Sequence, residues 1–216
     1  MHSAFVSYGT SRSIPIWLVT PANWPSVRDN IEASARGFAD ASGFEPQPGR
    51  HLLLPSVDGA LSGVLFGIEP ASKGAKDPFI TGKLPGLLPA GTYWLANPLE
   101  VSATRLFTLA FALGAYRFSR YRDVKSPEVK LEIPEGLDAA ELTRIAEGVT
   151  LARDLVNTPA NDLGPAELED AARALASRHG AMIGSIVGDE LLAANFPLIH
   201  AVGRAAARPP RLIDLT

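Results

Sequence analysis

The sequence predicts an α/β fold in which a main unit is followed by the start of a second one. Three observations carry this. Short apolar runs rich in β-formers alternate with segments of helical spacing over residues 14–136. A long helical pattern after residue 136 runs into "RDLVNTPANDLGP" (153–165), a polar loop with two prolines that opens a further helix. Residues 181–216 then begin a new strand, helix and strand alternation. A chain of 216 residues with 46% hydrophobic content can bury one good core, or one core and part of a second.

In order, "IPIWLVT" (14–20) reads as a strand, and "NWPSVRDNIEASARGFADASGF" as the helix after it, with Val27, Ile31, Ala35 and Phe38 at helical spacing. "HLLLPSVDGALSGVLFGIE" (51–69) places two apolar runs around Asp58-Gly59, a dipeptide suited to a tight turn, and predicts a hairpin. Residues 73–91 hold too many Gly and Pro residues for a regular element and lead into the strand "TYWLA" (92–96). From Ser102 to about Arg122, Leu106, Leu109, Ala110 and Leu113 form a stripe widened by Phe107, Phe111 and Phe118, which predicts a buried helix. The alternating segment 124–136 suits an exposed strand and a connector.

A long helix is expected from Leu137 or Asp138, where Asp138 and Glu141 are placed as a capping box. Leu142, Ile145, Ala146, Val149, Ala152 and Val156 give it one apolar face over about five turns. Pro159 cannot continue it, whereas Pro165 fits a first helical position because its missing N–H has no intrahelical partner there. The second helix should end near Arg178, with Gly180 as a left-handed stop. A short strand, a short helix and an apolar strand, Leu212 to Leu215, complete the pattern.

Net charge is −3 and the basic residues are dispersed, so tight nucleic-acid or membrane binding is not expected, and small molecules or peptides are the better partners. The Arg and aromatic run "YRFSRYR" (116–122) suits stacking on nucleic acid, but the commoner use of such arginines is to cover apolar surface and complement a helix C-terminus. The chain has no cysteine, which excludes disulfides and thiolate chemistry. No stretch approaches the roughly 18 apolar residues of a membrane span, and a cytoplasmic location is expected.

No nucleophile elbow, phosphate-binding glycine loop or HExxH metal motif is present. His2, His51, His179 and His200 each lack a second ligand at metal spacing, and a hydrogen-bonded structural role is expected of His200. Asp154 and Asp162 flank the 153–165 loop as capping or turn residues rather than acid/base groups. Gly180, Gly184 and Gly188 recur at intervals of four, but need be no more than turn and strand glycines. No catalytic, cofactor-binding or metal-ligating residue is nominated.

Arg153, Asp154, Leu155, Asn157, Pro159, Asn161 and the helix from Pro165, together with "AVGR" (201–204) and "PPRLIDL" (209–215), resemble the leucyl (cytosol) aminopeptidase family. The specific similarity covers about residues 150–216; over 1–136 only the order of strands and helices agrees. The resemblance implies a macro-domain-like N-terminal α/β domain at 1–136, a linker helix at 137–157 and, at 158–216, the truncated start of a catalytic aminopeptidase domain. It further implies a parent hydrolase that removes N-terminal amino acids from peptides, uses two divalent metals (zinc or manganese) and assembles as a hexamer.

The family's metal ligands and catalytic residues lie in glycine-rich motifs after the strand at 212–215, so none carries over to a position here. The chain alone is expected to lack activity and metal. The alternatives left open are a stand-alone macro-like module for a nucleotide or ADP-ribose, for which "KGAKDPFITGKLPG" is a loose phosphate-loop candidate, and an assembly or regulatory module.

Overall fold

Side-chain alternation on two short strands sets the layers of the first part of the molecule. In β2 (Ile14–Val19), Ile16 and Leu18 enter one apolar cluster while Trp17 and Val19 enter another; in β4 (Leu61–Gly67), Val64 and Phe66 join the first and Leu65 the second. A period of two on a sheet covered on both faces produces this division. The computed structural model describes residues 1–216 except 10, 11, 71–76, 98 and 124. It divides into two compact units, Met1–Thr150 and Leu151–Thr216.

The first unit is built on a six-stranded sheet. Its remaining strands are β1 (Phe5–Val6), β3 (His51–Pro55), β5 (Gly91–Leu95) and β6 (Val129–Glu132), in the order β1-β6-β5-β2-β4-β3. All neighbours are parallel except β3 and β4, which form the expected hairpin with Leu53 opposite Val64. On one face lie α1 (Trp24–Asn30) and α2 (Ala33–Ala41), which bury Val27, Ile31, Ala35 and Ala39 against Leu54 and Leu65. The other face carries α3 (Leu84–Leu87), α4 (Val101–Gly114) and the first half of α5 (Ala139–Asn157). There Phe107, Phe111, Leu142 and Ala146 close over Ile16, Phe66, Tyr93 and Leu131.

Several expected elements differ in detail. The single helix after β2 is two, because Ile31 is extended (φ −81°, ψ 158°); the break carries its side chain into the core, and Ala39 rather than the exposed Phe38 completes the stripe. Within 73–91, a 3₁₀ turn at Ile80–Lys83 runs directly into α3. Pro85 is tolerated there because it sits in the first turn, where its missing N–H costs nothing. Residues 73–76, the start of the loose phosphate-loop candidate, lie outside the described residues.

The buried helix predicted to reach Arg122 ends at Gly114. Beyond it, Arg117 Nη1 donates to the Gly114 carbonyl (2.8 Å), Phe118 meets Tyr121 at 5.8 Å, and Arg120 lies over the Tyr121 ring at 5.7 Å. The strand expected to be exposed in 124–136 is β6, an interior strand of the sheet whose Val129, Leu131 and Glu132 are buried. Glu132 is accommodated because its carboxylate accepts the Ser13 hydroxyl and, at 3.3 Å, the Gly9 N–H.

At the start of α5, Asp138 Oδ1 accepts the N–H groups of Ala140 and Glu141, both at 2.9 Å. Glu141 does not complete the capping box; it pairs with Arg105 at 2.7 Å. Of the predicted apolar face, Leu142 and Ala146 are buried, whereas Ala152 and Val156 are exposed.

In the second unit, α6 (Pro165–His179) begins with Glu167 Oε2 accepting the Gly164 N–H at 2.9 Å and ends at Gly180 with φ 70°, the left-handed stop that glycine takes without strain. An antiparallel pair follows, β7 (Ile183–Val187) and β8 (Arg211–Leu215), with α7 (Glu190–Ala193) and α8 (Pro197–Gly203) between them in sequence.

Candidate functional site

Two places gather polar groups, one in each unit. In the first, the order of the sheet matters: the chain leaves β2, pairs β4 on one side of it, then crosses to pair β5 on the other. In open α/β sheets a reversal of this kind leaves a crevice outside the carboxyl ends of the strands, where ligands bind. Asn97, just past β5, closes part of it. Its Oδ1 accepts the Leu18 N–H and its Nδ2 donates to the Leu18 carbonyl, both at 2.9 Å, while Asn23 donates to the same carbonyl at 3.1 Å.

Beside this seal is a cavity of about 160 Å³, walled by Leu18, Ile68, Ile80, Leu99, Leu106 and Phe107, with Glu69, Asp77, Thr81 and Ala103 also on it. Thr81 is 5% exposed and its hydroxyl has no hydrogen-bond partner among the described residues. The volume is well below the roughly 300–1,000 Å³ of drug-sized ligand sites, and does not favour the nucleotide-sized alternative.

In the second unit, Glu169 is 6% exposed and carries the densest polar cluster. Its Oε1 accepts Arg173 Nε at 2.8 Å and the Ser185 hydroxyl at 2.7 Å; its Oε2 accepts Arg211 Nη1 at 2.5 Å. These donors, Ser185 first and then the two guanidiniums, lower its pKa to about 2. A carboxylate that acidic is a poor base at neutral pH, so the Ser185 and Glu169 pair is not an activated nucleophile. What the cluster does is tie α6 to both strands of the small sheet.

The sequence did not single out Glu169, since Arg173 four residues on makes it read as an ordinary surface pair. The available signal was its place on the inner stripe of α6, seven residues before the buried Ala176.

The residues weighed from sequence are not brought into one site. His200 Nε2 bonds Asp189 Oδ1 at 3.0 Å, the structural role expected of it. The carbonyl of Asp154, in the last turn of α5, accepts the Thr158 N–H and hydroxyl at 3.0 and 2.7 Å, and Asp162, between α5 and α6, donates its N–H to the Pro159 carbonyl at 2.9 Å. Partial burial lowers the pKa of His2, whose Nδ1 accepts the Ala4 N–H. Among the described residues, no three His, Asp or Glu side chains form a group able to hold a metal ion. No helix among them is long and apolar enough to cross a membrane.

Comparison with known proteins places this geometry. The pattern of the M17 aminopeptidase N-terminal domain matches residues 14–134, and that of the cytosol aminopeptidase catalytic domain matches residues 150–216. A "Probable cytosol aminopeptidase" of Geobacter sp. (strain M21) is 34% identical over 139 residues, 58% of this chain and 28% of that protein. One of Nocardia farcinica is 37% identical over 121 residues, 49% of this chain and 24% of that protein.

Among solved structures, the cytosol aminopeptidase of Coxiella burnetii superposes with a TM-score of 0.88 and 34% identity, covering 98% of this chain and 46% of its own. The bottromycin maturation enzyme BotP, solved in complex with Mn, gives 0.75 and 28%, covering 95% of this chain and 45% of its own. The chain thus spans about half the length of these structures and about a quarter of the curated relatives. With one domain pattern over more than half of its residues and the catalytic pattern taking up at residue 150, the chain belongs to the M17, or cytosol, aminopeptidase family.

Proposed function

We propose that this chain forms the N-terminal part of a leucyl aminopeptidase, a hydrolase that removes N-terminal amino acids from peptides in the cytoplasm. The observation that carries this is the superposition on the Coxiella burnetii enzyme, at 34% identity over 98% of the chain. In this reading residues 1–136 are a macro-like N-terminal domain, 137–157 a linker helix, and 158–216 the opening scaffold of the catalytic domain. Assembly as a hexamer belongs to the same proposal.

Two divalent metals, zinc or manganese, would supply the electrophile and the activated water in such an enzyme. The described residues of this chain offer no cluster to hold them, and in this reading their ligands are other residues of the enzyme. What its own side chains contribute is a frame: the Glu169 cluster fixes α6, β7 and β8 to one another. The second unit also displays Met182, Leu198 and Val202 at 75%, 80% and 84% exposure. An apolar surface of that kind supports a reading in which further catalytic-domain chain packs on it.

The test is chemical. After dialysis, the 216-residue chain is expected to retain neither zinc nor manganese stoichiometrically and to leave leucine p-nitroanilide uncleaved. Two retained metals with hydrolysis would overturn the assignment of the catalytic groups to other residues.

A further inference from the structure

A second cavity of the first unit, about 180 Å³ in volume, lies at the opposite end of the sheet, by the amino ends of the parallel strands β1 and β6. Three stretches of chain meet there: Ser3 and Ala4 before β1, Ser126 to Val129 leading into β6, and Arg117 just past α4, with Pro85 of α3 beside it. All residues that line it are among the described ones.

Arg117 is held in place there with donors to spare. Its Nη1 donates to the carbonyls of Gly114 (2.8 Å) and Tyr116 (2.7 Å), which completes the end of α4 and fixes the plane of the guanidinium. Its Nη2 stands 3.4 Å from where a Cβ on Gly86 would lie, so the group also rests on the backbone of α3. Capping the helix uses one nitrogen of three. Among the described residues, Nε and Nη2 have no hydrogen-bond partner and no carboxylate pairs with the guanidinium. Those two nitrogens form the edge of the fork that takes two oxygens of one anion.

The other walls agree with an anion. Ser3 and Ser126 line the cavity with hydroxyls that no protein group among the described residues engages. Glu128, the carboxylate on the wall, is bound by Lys130 Nζ at 2.7 Å, and that partner holds its carboxyl below the ordinary value. Its charge is therefore met locally, whereas that of Arg117 is met only by two carbonyl dipoles.

A halide offers one acceptor atom to these donors, and a carboxylate satisfies the guanidinium but leaves the hydroxyls. We propose that this cavity binds a phosphate group, as inorganic phosphate or as the monoester of a small molecule. Arg117 Nε and Nη2 hold two of its oxygens, and the hydroxyls of Ser3 and Ser126 donate to the others. The site belongs to the first unit and does not depend on the aminopeptidase reading.

The experiment titrates the 216-residue chain with sodium phosphate, ethyl phosphate and acetate, at an ionic strength held fixed with sodium chloride so that chloride competes throughout. Amide chemical shifts and the Arg117 Nε–H resonance report binding. Inorganic phosphate should bind with a dissociation constant on the order of 1 mM, moving the signals of Ser3, Ser126, Val129 and the Arg117 Nε–H together. Ethyl phosphate separates the two sources: tighter binding than the free ion assigns the site to a monoester, weaker binding to the ion itself. Acetate should bind at least about 5-fold more weakly.

Arg117→Lys keeps the charge and loses the fork, and should weaken phosphate by at least about 5-fold. Ser126→Asp leaves the helix cap untouched and places a carboxylate on the wall, so it should weaken phosphate by at least about 10-fold even if the Arg117 variant folds poorly. Lys125→Ala, next in sequence but not on the cavity, should change binding by less than about 2-fold. No saturable response up to about 20 mM phosphate, roughly twenty times the expected constant, would overturn the proposal. So would equal affinity for acetate, unchanged binding in Ser126→Asp, or an equal loss in Lys125→Ala, which would mark a diffuse effect of surface charge. Failure here is read from binding, and failure of the aminopeptidase reading from hydrolysis, so the two are distinguishable.

Discussion

Gly114, the last residue of α4, stands directly against Gly82 of the 3₁₀ turn: a Cβ at position 114 would lie 1.8 Å from the Gly82 carbonyl oxygen. Backbone meets backbone here, and no side chain can give way. Gly114→Ala should therefore destabilise the protein by about 1–3 kcal/mol, the usual cost of forcing extra volume into a packed site. Gly148, on the exposed side of α5 with nothing within 4 Å of its Cβ position, is the control. Gly148→Ala should stabilise by about 0.5–1 kcal/mol through helix propensity and a less disordered unfolded chain. Urea denaturation of the two variants checks both signs; a neutral Gly114→Ala would mean that the turn and the helix are not in contact.

The apolar stripe on α5 should be energetically uneven. Leu142 is fully buried and Val156 is 84% exposed. Leu142→Ala should cost about 2–5 kcal/mol, and Val156→Ala in this chain less than about 0.5 kcal/mol. Comparable losses for the two, read from the same denaturation curves, would contradict this division.

Acid should loosen the second unit through Glu169. Its pKa in the folded state, about 2, lies below the unfolded value because the Ser185 hydroxyl and the Arg173 and Arg211 guanidiniums bind its charged form. The stability it contributes is thus fully present above the unfolded pKa of roughly 4.3 and is lost as pH falls toward 2. Glu169→Gln should lower the melting temperature at pH 7, and its difference from the wild-type chain should shrink across that window. A difference independent of pH would show that the charge of Glu169 is not what the cluster uses.

Hydrogen exchange should separate the two sheets. Val64, Phe66, Tyr93 and Leu131 lie on strands paired on both sides and are fully buried, whereas β7 and β8 pair only with each other among the described residues. Amides of 183–187 and 211–215 should exchange faster than those of 64–66, 93 and 131. Equal protection would contradict the predicted weakness of the two-stranded pair.

The sequence was most informative where order is local. The apolar β-forming runs at Ile14–Val19 and Leu61–Gly67, the Asp58-Gly59 hairpin, the Pro165 start and the Gly180 stop are written in neighbouring residues, and the structure has each of them. It misled where a distant partner decides. Glu132 gave β6 the look of an exposed strand, because its burial rests on Ser13 and Gly9, more than a hundred residues away. Periodicity carried α4 on to Arg122, although the helix ends at Gly114, where the 3₁₀ turn crosses it. Glu169 escaped notice for the same reason, since Ser185 and Arg211 come to it only through the fold. The cavity at β2 depends on strand order, which no local pattern encodes.

The most direct measurement joins this chain to the part of the Coxiella burnetii cytosol aminopeptidase that lies beyond the superposed region and assays the fusion with leucine p-nitroanilide, before and after adding manganese. The account predicts that the fusion hydrolyses the substrate in a metal-dependent way while the 216-residue chain alone does not. A folded fusion that retains its metals and leaves the substrate intact would contradict the reading of this chain as the N-terminal part of a leucyl aminopeptidase.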